Sequence, residues 1–166
     1  GEFDLVIVDE SHNFRGETAA RYDDLQLICK TPRVNEGRVA GRQKKVLLLS
    51  ATPLNNRPTD LLNLLLLFQN SRYSTIEGIQ NLPATFSPWI DEYAKLMRER
   101  KADNTGKRNA EFAHRTDAIY EEIRNKVLDK VTVRRTRNNI RNVDAYRADL
   151  EMQQIKFPEI LPPNEL

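Results

Sequence analysis

Two adjacent carboxylates, Asp9 and Glu10, follow the apolar run Leu5-Val6-Ile7-Val8 and precede Ser11-His12. An unbroken apolar run of that length is expected to be a strand buried on both faces, whose end fixes the first carboxylate rigidly beside a crevice. A carboxylate so placed can hold Mg²⁺, directly or through water, and the metal then neutralises charge on the β- and γ-phosphates of a nucleotide. A second carboxylate next to it can orient and deprotonate an attacking water. Two neighbouring acids repel, so the pair suits a cation-bound state. A polar strand end leading into a helix cap is the plainer account of such a pair. The apolar run before it and Ser-His after it weigh toward chemistry.

A similar pattern closes Leu47-Leu48-Leu49-Ser50-Ala51-Thr52-Pro53-Leu54-Asn55-Asn56. Here the hydroxyls of Ser50 and Thr52 are expected at a strand end beside the acid pair, able to bridge it to whatever binds across the crevice. Taken alone, a turn with Ser/Thr capping the next helix explains the same residues.

These side chains need a frame. The runs Phe3–Val8 and Lys45–Leu49 read as two parallel strands, and Ala19, Tyr22, Leu25 and Ile28 mark a crossover helix over 17–30. This is a β-α-β unit, whose polar strand ends face the crevice where such sheets bind ligands. Pro58 and Thr59 open a very apolar helix over 60–69. Ser87-Pro88 reads as the start of a charged helix reaching Ala102, with Asp91 and Glu92 in its first turn. Asp103-Asn104-Thr105-Gly106 breaks it. A second helix over 107–128 places Phe112, Ile119, Ile123 and Val127 on one stripe. Val131-Thr132-Val133 reads as a short strand, Thr136 as the cap of a last helix carrying Ile140, Val143, Tyr146 and Leu150, and the proline-rich tail from Phe157 as extended chain.

Composition narrows the classes. The 166 residues carry 26 Lys+Arg against 24 Asp+Glu, a formal charge of +2, with 39% hydrophobic and 30% charged residues. That is a globular composition. One cysteine, Cys29, and two histidines, His12 and His114, exclude a disulfide framework and a His/Cys metal cluster. The apolar stretch Leu61–Phe68 falls far short of the ~20 residues of a membrane span, so no membrane partner is expected. The start, Gly1-Glu2-Phe3-Asp4, has no signal-peptide character, and a first strand so close to a non-Met start suggests a piece of a larger protein.

Asp-Glu-Ser-His (a DEAH-box-like run), followed almost forty residues on by Leu-Leu-Leu-Ser-Ala-Thr-Pro-Leu-Asn-Asn, resembles motifs II and III of helicase superfamily two. The apolar helix, the helical insertion and Val133-Arg134-Arg135-Thr136-Arg137 narrow the resemblance to the Swi/Snf-related ATPases, particularly bacterial ones. It spans nearly the whole chain. It implies an α/β fold: a partial RecA-like parallel sheet flanked by helices, with an inserted helical hairpin. Residues 1–70 would be the C-terminal part of the first RecA-like lobe, 71–130 a helical protrusion, and 131–166 a last strand, helix and linker toward a second lobe.

The resemblance also implies roles. Asp9 would serve the Mg²⁺ of bound ATP, and Glu10 would be the general base, both belonging to the cofactor site. His12, Ser50 and Thr52 would couple hydrolysis to movement on double-stranded DNA. Arg134 and Arg135 match the basic pair ending the first lobe, where lobe packing and phosphate contact are both open. Asn13-Phe14-Arg15 departs from the run usual in eukaryotic remodellers, which points to a bacterial, cytoplasmic protein.

From Arg98 to Arg141 there are 13 Lys/Arg and 7 Asp/Glu. Lys107 and Arg108 belong to this segment. A DNA-phosphate-binding face and a pair of solvated helices laced by i,i+4 ion pairs fit it equally. Trp89, Phe86 and Tyr93 can stack on bases, but their helical spacing favours the core. The phosphate-binding loop G-x-x-x-x-G-K-[ST] is missing: the single Gly-Lys pair, Gly106-Lys107, is followed by Arg108. The chain by itself is therefore expected not to hydrolyse ATP, and the other motor lobes would have to be joined in cis. Two alternatives stay open: the motor subunit of a restriction or phage-defence system, and a degenerate lobe serving as an interaction scaffold.

Overall fold

A computed structural model describes residues 3–14, 20–32, 42–50, 57–133 and 143–155. The chain divides into two compact units, Gly1–Val131 and Thr132–Leu166.

In the first unit, β1 (Leu5–Val8) and β2 (Lys45–Leu48) form a two-stranded parallel sheet. Leu5 lies opposite Lys45 and Val8 opposite Leu48. Helix α1 (Ala20–Lys30) lies between them in sequence, as parallel pairing demands a long crossover. Tyr22 and Cys29 are its buried residues, while Ile28 is half exposed. Steps of three drift off a helix face, whereas seven residues make nearly two full turns, so Cys29 and not Ile28 shares the face of Tyr22.

The expectation of strands buried on both faces is corrected. Side chains alternate across a sheet: Leu48 packs with a small cluster of Phe14, Tyr22, Leu25, Leu64 and Leu67, and Val8, opposite Leu48, is buried. Leu5, Ile7, Leu47 and Leu49 on the other side are exposed, Ile7 to 57%. Among the described residues no helix layer covers that face.

Helix α2 (Pro58–Leu66) begins with proline at its first position, where the missing N–H costs nothing. Five successive residues, Leu61 to Leu65, are buried, which requires neighbours all round. Leu64 meets the sheet-side cluster, while Leu61, Leu62 and Leu65 join the larger helical core. Helix α1 is stitched to α2 by two side chains: Tyr22 Oη donates to the Asn63 carbonyl at 2.8 Å and Gln26 Nε2 to the Leu66 carbonyl at 2.9 Å. Because the tyrosine bond is buried, Tyr22→Phe is expected to lower stability by about 1–2 kcal/mol. Urea unfolding measures this, and an unchanged midpoint would contradict it.

The connection 69–81 is organised by Gln69, whose Oε1 accepts from the Ser74 hydroxyl and from the Thr75 amide and hydroxyl. It drops Ile76 and Ile79 into the core. Helix α3 (Leu82–Ala102) starts earlier than Ser87-Pro88 suggests. Asn81 is the N-cap, its Oδ1 accepting from the Ala84 amide at 3.0 Å, and Pro83 occupies the first turn. Pro88 lies inside the helix, and Asp91 and Glu92 sit beyond the first turn. Both prolines are compatible with a helix start, and burial of Leu82 and Phe86 favours the upstream one.

Asp103 builds the turn that follows, its carboxylate accepting from the amides of Thr105 and Arg108 and from the Thr105 hydroxyl. Gly106 takes φ +65°, a conformation that favours glycine. Helix α4 (Asn109–Ile123) runs on into a π-helical turn, Arg124–Leu128, and a last helical turn, Asp129–Val131. The expected stripe of Phe112, Ile119, Ile123 and Val127 is buried. Contacts between 89 and 122, 92 and 115, and 99 and 108 order α3 and α4 as an antiparallel hairpin.

The strand expected at Val131-Thr132-Val133 is not formed. Val131 closes the helical run, and Val133 is 82% exposed with no strand beside it among the described residues. In the second unit, α5 (Asp144–Met152) carries an Arg147–Asp144 ion pair at 2.6 Å. Thr136, Ile140 and the tail from Phe157 lie outside the described residues.

Candidate functional site

The site is built on the C-terminal ends of β1 and β2. Beyond the last paired residues, the Leu49 amide donates to the Val8 carbonyl at 2.8 Å, and the Ser11 amide donates back to the Leu49 carbonyl at 2.9 Å. The Ser11 hydroxyl donates to the same carbonyl at 3.0 Å, and Ser11 is 1% exposed. These three bonds hold the segment 9–12 against Leu49-Ser50. Ser11 is a positioning residue that its sequence context does not single out, since its partner, Leu49, is 38 residues away.

Between the anchor points Val8 and Ser11, the acid pair bulges toward solvent. Glu10 has φ +48°, in the left-handed region, where a non-glycine residue costs of order 1–3 kcal/mol. The Asp9 carboxylate supports this turn, its Oδ1 accepting the Glu10 amide at 2.8 Å. A short 3₁₀ helix, Ser11–Phe14, follows, with the Asn13 amide donating to the Glu10 carbonyl at 3.0 Å. His12 Nδ1 lies 3.0 Å from Glu10 Oε2. Asp9, Glu10, His12 and Ser50 thus gather at one edge of the sheet. Thr52, Arg134 and Arg135 lie outside the described residues.

Mg²⁺ is satisfied by one or two carboxylates, with water and phosphate completing its shell. Asp9 fits that mode, because one accepted amide leaves lone pairs for a cation. Among the described residues no group of three His, Cys, Asp or Glu forms a metal cage, so the donor set here offers a shared ion and not a fully protein-held one. For the phosphates of ATP the fit is poor: Gly106, the glycine of the chain's Gly-Lys pair, sits in the turn between α3 and α4.

Lys107 and Arg108 occupy the same turn. Arg108 is committed within the hairpin. It makes two bonds of 2.9 Å to Glu111, lies 3.6 Å from Glu99 and stacks 4.8 Å over the Phe112 ring. Bonds of 2.8 and 2.7 Å join Arg115 to Glu99 and Glu92. Hydrogen bonding from Arg115 holds Glu99 below the usual carboxylate range, and Arg108 does the same for Glu111. Arg108 and Arg115 are thus ion-paired within the hairpin. Phe86 and Trp89 are core residues, and Tyr93 packs beside them.

The chain matches no protein-family model, curated protein or solved structure. Its fold is mixed α/β and mostly helical, with a two-stranded parallel sheet. Among the described residues no helix is long and apolar enough to cross a membrane.

Proposed function

We propose that these residues are part of an ATP-dependent motor of the helicase superfamily two type, moving along double-stranded DNA, with the RecA-like and Swi/Snf-related character that the motifs suggest. The observation that carries the reading is the joint at the strand ends. Asp9-Glu10 and Leu49-Ser50 come from motifs far apart in sequence, yet their backbones are bonded together through Ser11 and Val8. In such a motor Asp9 would hold the Mg²⁺ of ATP and Glu10 would orient the attacking water. His12 and Ser50 would sense the nucleotide's state. When bound, Mg·ATP supplies the phosphoryl group to be transferred and the charge that offsets the acid pair.

The exposed apolar residues of the sheet give second support. Parallel sheets occur almost only with both faces covered, and a two-stranded one is too small to stand as a core. Leu5, Ile7, Leu47 and Leu49 suit the interior of a larger sheet. The expected biochemistry follows from the missing phosphate loop. The 166-residue chain alone turns over no Mg·ATP above background. The same residues joined in cis to a Gly-rich phosphate loop and a second lobe hydrolyse it, faster with double-stranded DNA. A phosphate-release assay on both tests this. Absence of DNA stimulation in the longer chain, or turnover by the short one, overturns the reading.

A further inference from the structure

The hairpin carries a second candidate site, remote in sequence from the acid pair and not part of the motor reading. Thr85, Pro88, Trp89, Glu92, Ile119 and Glu122, with Lys126, line a cleft of about 310 Å³ between α3 and α4. Its floor is the indole of Trp89, fixed on two sides. The ring meets Phe86 edge-on at 5.2 Å, and its Nε1 donates to Glu122 Oε2 at 3.0 Å. The two carboxylates stand on opposite helices. Lys126, on the π-helical turn, places its ammonium 5.6 Å over the indole ring and 3.5 Å from Glu122. Single π-turns within α-helices are frequent at functional sites.

The cleft therefore already displays the chemistry it selects: a cation over an aromatic face, flanked by a carboxylate. Lys126 is 63% exposed, and besides the indole it meets one acid, at 3.5 Å, that is itself 59% exposed. A solvated ammonium held so loosely is easily displaced. A guanidinium is a better occupant, because its plane stacks on an indole and its fork pairs with a carboxylate, and it is less strongly hydrated. We propose that this cleft receives an arginine side chain of a partner polypeptide, which displaces Lys126, stacks on Trp89 and pairs with Glu122. Glu122 lies below the ordinary carboxylate range, chiefly through the Trp89 hydrogen bond and then Lys126, and so is charged and ready to pair.

Trp89 is the chain's single tryptophan, which makes the test direct. The full chain is titrated with the capped peptide acetyl-Gly-Arg-Gly-amide while Trp89 fluorescence is followed, with the Gly-Glu-Gly peptide as control. The expected result is a saturable change with the arginine peptide alone. Lys126→Ala should tighten it severalfold, and Glu122→Gln should weaken it about fivefold to tenfold. Both positions are well exposed, and circular dichroism verifies that the variants fold. A response that never saturates, that the Glu peptide reproduces, or that Glu122→Gln leaves unchanged overturns the proposal.

Discussion

Phe86→Ala is expected to destabilise the first unit by about 3–5 kcal/mol, the usual cost of emptying a fully buried phenylalanine site. Phe86 is 0% exposed and belongs to the one cluster that joins α2, the 69–81 connection, α3 and α4. It also braces Trp89 edge-on, so its loss frees the ring that floors the hairpin cleft. Collapse of the cavity is resisted, because Leu82, Ile123 and Val127 of the same cluster are themselves fully buried. Native stabilities are only ~5–15 kcal/mol, so this one change removes a large share. Tyr73→Ala, at a side chain 71% exposed, is the matched control and should shift stability by no more than about 0.5 kcal/mol. Urea unfolding followed by Trp89 fluorescence and by circular dichroism measures both. A Phe86→Ala loss below about 1 kcal/mol would mean that the helical core is not the cooperative unit described.

The core of the hairpin was readable because its period was clean. Phe112, Ile119, Ile123 and Val127 recur at seven, four and four, and a helix must bury such a stripe. The start of α3 was not readable in the same way. Ser87-Pro88 and Asn81 with Pro83 are both good openings, and local chemistry does not choose between them. Tertiary burial of Leu82 and Phe86 does, and nothing in a local window reports it. Val131-Thr132-Val133 failed for a related reason: β-branched residues make a strand only where another strand is within reach, and the helix simply runs on to Val131. At the site, the apolar runs gave the strands and their parallel pairing. They misled on burial, since a continuous run describes what a strand wants on both faces and not whether both are covered. The Ser11 clamp was invisible for another reason. A serine's value there lies in backbone bonds to a residue 38 positions away, which spacing cannot show.

On the proposed motor function, Glu10→Gln is expected to lower DNA-stimulated ATP hydrolysis by about 10²–10⁴-fold in kcat when these residues are joined in cis to a phosphate loop and second lobe. The substitution keeps size and shape, so the left-handed turn at residue 10 and the Ser11 anchor need not move. What it removes is the carboxylate that would take a proton from the attacking water. The KM for ATP should change little if a separate phosphate loop holds the phosphates. Asp9→Asn should behave differently. If Asp9 holds Mg²⁺, this change should raise the metal concentration needed for half-maximal rate, with partial recovery at high Mg²⁺. This contrast separates a base from a metal ligand, which the two side chains' adjacency alone does not. The distinction also bears on His12, 3.0 Å from the Glu10 carboxylate. If Glu10 is the base and His12 serves only to position its carboxylate, His12→Ala should lower kcat by less than Glu10→Gln and loosen its dependence on DNA. A Glu10→Gln chain that retains turnover within about twofold of the parent, against the loss expected of a missing base, would remove Glu10 from the chemistry. The acid pair would then be a polar strand end and nothing more.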